Sequence, residues 1–190
     1  MLAINNVFGY TIGDTMATET ESTEPGFNLG RLASGVGGGV LGALLFGLLV
    51  ELVLTDFTVA MAVPGLYGIE GPLPVAAWGL HLYHGALLGM VYVIAAQYEP
   101  FSRFAHSYGG AAILGVAYGV ALTVGVAVLV ALIGAGIVGF GGLFQLPPLT
   151  PSIVVATMLG HVLFAIVVAF VHATYVTRYD PETEPGEVVP

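Results

Sequence analysis

The sequence predicts an all-α, polytopic membrane protein with four transmembrane helices. Of its 190 residues, 57% are hydrophobic and 8% are charged, whereas soluble domains carry roughly 25% charged residues. Four long apolar runs follow one another, and each could cross a bilayer, which needs about 20 residues per helix. The runs are continuously apolar, without a polar residue at every second position, so they indicate helices and not the strands of a membrane barrel.

The transmembrane domain is predicted over residues 31–178, between two acidic tails. The tails, 1–30 and 179–190, hold most of the twelve acidic residues, and we expect the N-terminal tail to be mobile. The four spans are predicted at about residues 32–54, 74–96, 109–134 and 152–175. A chain this acidic and poor in basic residues does not neutralise phosphates, which argues against nucleic acid as a partner.

Three arginines orient the predicted spans. Arg31 precedes the first span, Arg103 lies between the second and third, and Arg178 follows the fourth. With four spans, all three arginines fall on one side of the membrane. Because cytoplasmic loops carry an excess of basic residues, we predict a multi-pass protein of the cell membrane with both termini in the cytoplasm.

The two loops on the other side are apolar and rich in glycine and proline. They read VAMAVPGLYGIEGPLPV and VGFGGLFQLPPLTPS. Irregular backbone at membrane depth must be sheltered by protein. We therefore expect the loops to cap the bundle at the membrane surface, with a re-entrant path as the alternative.

The two halves of the transmembrane domain resemble each other, which predicts two tandem helical hairpins. His81 in the second span is followed by Gly85 and Gly89, and His161 in the fourth span is followed by Ala165 and Ala169. Units of two spans repeated in tandem share one orientation, so the duplication would be a parallel repeat.

Small residues one helical turn apart predict close packing between helices. Such residues let backbones approach, and the pattern does not distinguish contacts within the chain from contacts between copies. The predicted packing residues are Gly35, Gly39, Gly42, Gly85, Gly89, Gly115, Gly119, Ala165 and Ala169.

Ionisable residues inside a membrane are costly and often functional. We predict that Glu51, His81, His84 and His161 form a polar cluster in the outer half of the bundle, with His172 nearer the cytoplasm. The principal interpretation is structural: a neutral histidine hydrogen-bonds a neighbouring carbonyl and joins two helices.

Three other interpretations of the predicted cluster remain open. His161 with His84 or His81 could ligate a b-type haem. Glu51 with two or three histidines could bind a divalent metal ion. The same groups could also serve a proton-responsive or transport pathway, because histidine changes charge near neutral pH.

Cysteine and three common enzyme motifs are missing from the sequence. It contains no cysteine, and no G-x-x-x-x-G-K-[ST], G-x-S-x-G or H-E-x-x-H pattern occurs. We assign no residue as catalytic and predict no resident cofactor.

The segments LHLYHGALLGMVY and LGHVLFAIVVAFVHATY, together with the acidic tails, resemble small multi-span membrane proteins of haloarchaea whose function is unassigned. The resemblance covers the second and fourth spans best and implies a four-span fold, without catalytic residues. Our first hypothesis is a non-enzymatic structural or accessory subunit that assembles with itself or with a larger membrane complex through its glycine and alanine helix faces. A transporter or channel component and a haem electron carrier are the alternatives.

Overall fold

The computed structural model describes residues 28–54, 58–67, 73–134 and 150–179. These residues form an all-α protein in which four helices are long and apolar enough to cross a membrane, so the predicted four-span fold is confirmed. Residues 1–27 and 180–190 of the two acidic tails, and most of the second apolar loop, lie outside the described residues. The helices are α1 (Leu29–Val53), α2 (Val59–Gly65), α3 (Pro74–Ala96), α4 (Ser102–Ala105), α5 (Tyr108–Gly134) and α6 (Pro151–Tyr179).

Each long helix begins at a residue that suits a helix N-terminus. The Asn28 side chain accepts hydrogen bonds from the backbone N–H groups of Gly30 and Arg31 at 2.9 and 3.2 Å, which caps α1. Proline is the first residue of α3 and of α6, where its missing N–H costs nothing. At its C-terminus, α6 runs about one turn beyond the predicted end at residue 175.

The four long helices are arranged in the order α3, α1, α6, α5. The extensive contacts join α1 to α6, α1 to α3 and α5 to α6. Helix α6 is the most enclosed of the four and α5 is the least. Along the described residues, α3 and α5 do not pack closely, and the Tyr118 hydroxyl bridges them by donating to the Leu88 carbonyl at 2.8 Å.

Glycine faces glycine where α1 crosses α3. A β-carbon added to Gly35 would lie 2.7 Å from the Gly89 carbonyl oxygen. One turn further along α1, a β-carbon on Gly39 would lie 2.8 Å from the carbonyl carbon of Gly85. The two backbones are therefore too close for any larger residue at these positions.

Glycines also allow α6 to approach α1 and α5 closely. On α1, a β-carbon added to Gly42 would lie 2.7 Å from the Phe164 carbonyl oxygen. On α5, added β-carbons on Gly115 and Gly119 would lie 2.9 Å from Ile166 Cα and 2.5 Å from Val162 Cα. Ala165 and Ala169 of α6 are fully buried in the same core. All the predicted packing residues thus make contacts within the chain.

The two hairpins, α1 with α3 and α5 with α6, pack in different registers. Gly39 meets Gly85, whereas Gly119, 80 residues after Gly39, meets His161 and Val162. The position 80 residues after Gly85 is Ala165, one turn further along α6. Because the contacts of the two hairpins differ in register, they do not support the predicted duplication, which stays a prediction.

One end of the bundle carries Arg31, Arg103 and Arg178, and we call it the arginine end. There the Tyr175 hydroxyl reaches the side chain of Asn28 at 3.5 Å, so α1 begins beside the last turns of α6. At the opposite end, the first apolar loop contains α2, which packs against α3.

Candidate functional site

Two of the predicted cluster residues, His81 and His161, contact the same aromatic ring inside the bundle. The imidazole of His161 lies edge-on to Phe46 of α1, with ring centroids 4.9 Å apart, and that of His81 lies 5.6 Å from the same ring. Trp78, one turn from His81 on α3, adds a third contact at 5.9 Å. We call His81, His161, Phe46 and Trp78 the aromatic histidine cluster.

His81 joins α3 to α1. Its Nε2 lies 2.9 Å from the carbonyl oxygen of Ala43, the distance of a normal hydrogen bond. Because a carbonyl oxygen only accepts, Nε2 carries the hydrogen of this bond. The carbonyl thereby gains a partner beyond the α1 ladder, and the imidazole holds the two helices together.

His161 is turned towards α5. Its Nδ1 lies 3.3 Å from the hydroxyl oxygen of Thr123, and that hydroxyl donates to the Gly119 carbonyl at 2.9 Å. Since the one hydroxyl proton of Thr123 is committed to Gly119, Nδ1 of His161 is the donor in their contact. The imidazole also hydrogen-bonds the backbone of Thr157 on its own helix. His161 is 8% exposed, so the bond is shielded from the surroundings.

Two glycines make room for the aromatic rings of this cluster. A β-carbon added to Gly47 would lie 2.5 Å from the Trp78 ring and 3.2 Å from His81 Nε2. A β-carbon on Gly160 would collide with the ring of Phe46. The aromatic histidine cluster is therefore built on glycines of α1 and α6 that the packing prediction did not single out.

The other two predicted members, Glu51 and His84, have different partners. Glu51 Oε1 accepts a hydrogen bond from the backbone N–H of Val59 at 3.1 Å, which ties the end of α1 to the start of α2. His84 stacks on the Tyr67 ring with centroids 5.8 Å apart, and its Nε2 bonds the Tyr67 hydroxyl. The structure thus places the predicted four groups in three separate contacts.

The contacts of these histidines and of Glu51 can be compared with what a metal ion or a haem would require. Within the described residues, no three side chains of the His, Cys, Asp or Glu types come together in a group that could hold a metal ion. Haem ligation by His81 and His161 would require Phe46 to leave its contacts with both rings and His81 Nε2 to give up the Ala43 carbonyl. The residues present therefore do not fit a haem between these two imidazoles.

His172, on α6 near the arginine end, is the most deeply buried of the intramembrane histidines. It is 2% exposed, and its Nδ1 lies 3.0 Å from the Ser34 hydroxyl of α1. The sequence predicts that His172 lies nearer the cytoplasm than the other histidines, and it indicates no partner for the imidazole.

Sequence reasoning also missed Phe46, Thr123 and Ser34 as partners of the histidines. Thr123 has a signal that could have revealed it, because it is the one polar side chain between Gly119 and Gly134. Phe46 has none, since one aromatic residue in an apolar span looks like any other lipid-facing or core side chain.

Comparisons of the chain with models of protein families, with curated proteins and with solved structures give no match. What the protein does is therefore inferred from its own side chains and their contacts.

Proposed function

We propose that this protein is a non-enzymatic structural or accessory subunit of a membrane assembly. The observation that supports the proposal is the way the intramembrane histidines are used. His81 bonds α1, His161 contacts α5 and His172 bonds α1, each from a different position in the bundle. A histidine that hydrogen-bonds a residue of a neighbouring helix holds the two helices together. We therefore propose that these histidines stabilise the bundle and do not bind a substrate.

The small residues support a self-contained bundle. Because the glycine and alanine faces pack inside the chain, a partner subunit would meet the surfaces that now face lipid. Of these surfaces, that of α5 is the most open, since α5 is the least enclosed of the four spans. The partners we propose are the surrounding lipid and a second copy or a larger membrane complex, and not nucleic acid.

The subunit proposal is tested by the mass of the particle extracted from its own membrane. After mild cross-linking and extraction in a gentle detergent, light scattering should give a protein mass well above the 19.5 kDa of one chain. We expect one stoichiometric complex, built from copies of this chain or from this chain and another membrane protein. A single chain of 19.5 kDa under these conditions, with cross-linking verified on a known complex in the same membrane, would contradict the proposal.

We further propose that the arginine end faces the cytoplasm, because basic residues are retained on that side. Since the chain contains no cysteine, single cysteines report sidedness without background. Ser107 lies at the arginine end and Thr150 at the other, and both are exposed and bond the backbone N–H at the start of a helix. The two substitutions are therefore matched in their structural cost.

On intact cells, an impermeant maleimide should label the Thr150→Cys variant and leave the Ser107→Cys variant unlabelled. Once the membrane is permeabilised, both variants should react, which controls for accessibility. Labelling of the Ser107→Cys variant alone on intact cells would reverse the orientation.

A component of a transport system is the second candidate function. It is favoured by the convergence of two titratable side chains, His81 and His161, on one ring at membrane depth. Such groups could take up and release a proton if the cluster opened to water. A His161→Ala variant separates this candidate from the structural role.

A further inference from the structure

His172 lies about 16 Å further along α6 than His161, towards the arginine end, and belongs to a second group of polar side chains. This group consists of Ser34 from α1, Tyr92 from α3, Tyr118 from α5 and His172 from α6. We call these residues the four-span polar layer, because each of the four spans contributes one side chain.

Ring contacts and hydrogen bonds connect the layer. Tyr92 lies between two of its members, with its ring centroid 6.1 Å from His172 and 5.4 Å from Tyr118. The Ser34 hydroxyl donates to the Arg31 carbonyl at 2.6 Å, so it accepts from His172 Nδ1 at 3.0 Å. Three members of the layer are buried, since Tyr92 and His172 are each 2% exposed and Ser34 is 8% exposed, whereas Tyr118 is partly exposed.

One polar atom of the layer is unsatisfied. Among the described residues, the hydroxyl of Tyr92 is buried and has no hydrogen-bond partner. A buried polar group is almost always hydrogen-bonded in native proteins, to protein or to ordered water, because its loss of solvation is otherwise uncompensated. The hydroxyl of Tyr92 therefore points to a partner that the described side chains do not supply.

We propose that the Tyr92 hydroxyl donates its hydrogen bond to a single water molecule held within the four-span polar layer. Burial decides the size of the occupant, because a lipid or another molecule with a long tail cannot reach an atom enclosed on all sides. A buried water needs two to four polar partners. The second partner in this proposal is Tyr118, whose ring lies 5.4 Å from that of Tyr92. Its own proton is committed to the Leu88 carbonyl, so its oxygen keeps lone pairs to accept from the water.

The position of this water has a structural consequence beyond the proposed function. Tyr92 belongs to α3 and Tyr118 to α5, the neighbouring spans that lack close backbone packing. A water that accepts from Tyr92 and donates to Tyr118 would join these two spans where no glycine contact does. The layer would thereby close the bundle on its open side.

The direct test is a water contact measured by NMR on the full chain in detergent micelles, with protonated tyrosine in a deuterated background. We expect a rotating-frame Overhauser cross-peak of direct-contact sign between water and the ring protons of Tyr92, assigned by its absence in Tyr92→Phe. The neighbouring Tyr118 ring should lose its own water cross-peak in that variant. A Tyr92 ring without a water cross-peak, or a protein group bonded to its hydroxyl, would overturn the proposal.

Thermal stability gives an independent readout. If water satisfies the hydroxyl, Tyr92→Phe removes a hydrogen bond and should lower the Tm by about 2–4 °C. If the hydroxyl is unpartnered, phenylalanine removes a desolvation cost and the Tm should rise, which would contradict the proposal. Tyr83→Phe is the control, because Tyr83 lies on the same helix with 58% of its surface exposed, and its Tm should not change.

Discussion

Replacement of Gly39 by valine should strongly weaken the packing of α1 on α3. A β-carbon at this position would lie 2.8 Å from the carbonyl carbon of Gly85, closer than real β-carbons approach other atoms, and a tight 3.2 Å from Ala86 Cα. The obstacle is backbone, which cannot rotate away as a side chain can, so the helices must separate along the whole contact. We expect a loss of about 3 kcal/mol or more and a fall in Tm of roughly 10 °C.

The measurement is the Tm and the monodispersity of the purified variant in detergent. Gly37→Val is the matched control, since Gly37 lies on the same helix and a β-carbon there meets nothing within 4 Å. The control introduces the same side chain into the same helix and should leave the Tm almost unchanged. Equal effects of the two substitutions would show that helix propensity or membrane insertion, and not the α1–α3 contact, limits stability.

Replacement of His161 by alanine should destabilise the bundle from inside the aromatic histidine cluster. The substitution removes the contact with Thr123, leaves space beside the Phe46 ring and empties a position that is 8% exposed. Interhelical hydrogen bonds in membranes average about 0.6 kcal/mol, and the space left behind adds a larger cost. We expect a loss of about 2 kcal/mol, which corresponds to a fall in Tm of roughly 4–8 °C.

His84→Ala is the matched control, because His84 lies about one turn from His81 on α3 but hydrogen-bonds Tyr67 and is not part of the aromatic histidine cluster. We expect the control to retain the Tm of the parent protein within about 2 °C. Proton uptake by the reconstituted proteins after a pH jump separates the two candidate functions. A structural His161 predicts equal uptake in parent and variant vesicles. Uptake that is present in the parent and lost only in the folded His161→Ala protein would favour the transport component.

Three histidines of the bundle each have a hydrogen-bond partner on another helix. Hydrocarbon offers no hydrogen-bond partners, so each imidazole must find one inside the protein. His81 uses a backbone carbonyl, whereas His161 and His172 use hydroxyl groups. Partners of both kinds lie on a neighbouring helix, and the bond therefore fixes the position of one span against another.

The sequence by itself determined the number of spans and their approximate bounds. A helix that crosses hydrocarbon must be apolar along its whole length, and the chain shows four such stretches. The small residues also predicted close packing between helices, because two helix backbones approach closely only where the side chains between them are small. An even number of spans puts both ends of the transmembrane domain on one side, and the three arginines predict that this side is the cytoplasm.

Only the tertiary structure decided which faces meet and which polar groups pair. In a soluble bundle an apolar stripe marks the buried face, but in a bilayer both the interior and the lipid are apolar, so the stripe disappears. Helix α5 is apolar all round, and its contact with α6 through Gly115 and Gly119 could not be read from hydropathy. Glu51, His84 and His81 were predicted to cluster because their positions in the sequence place them at similar depth in the membrane. Their side chains point in different directions around the helix axes, so each has a different partner.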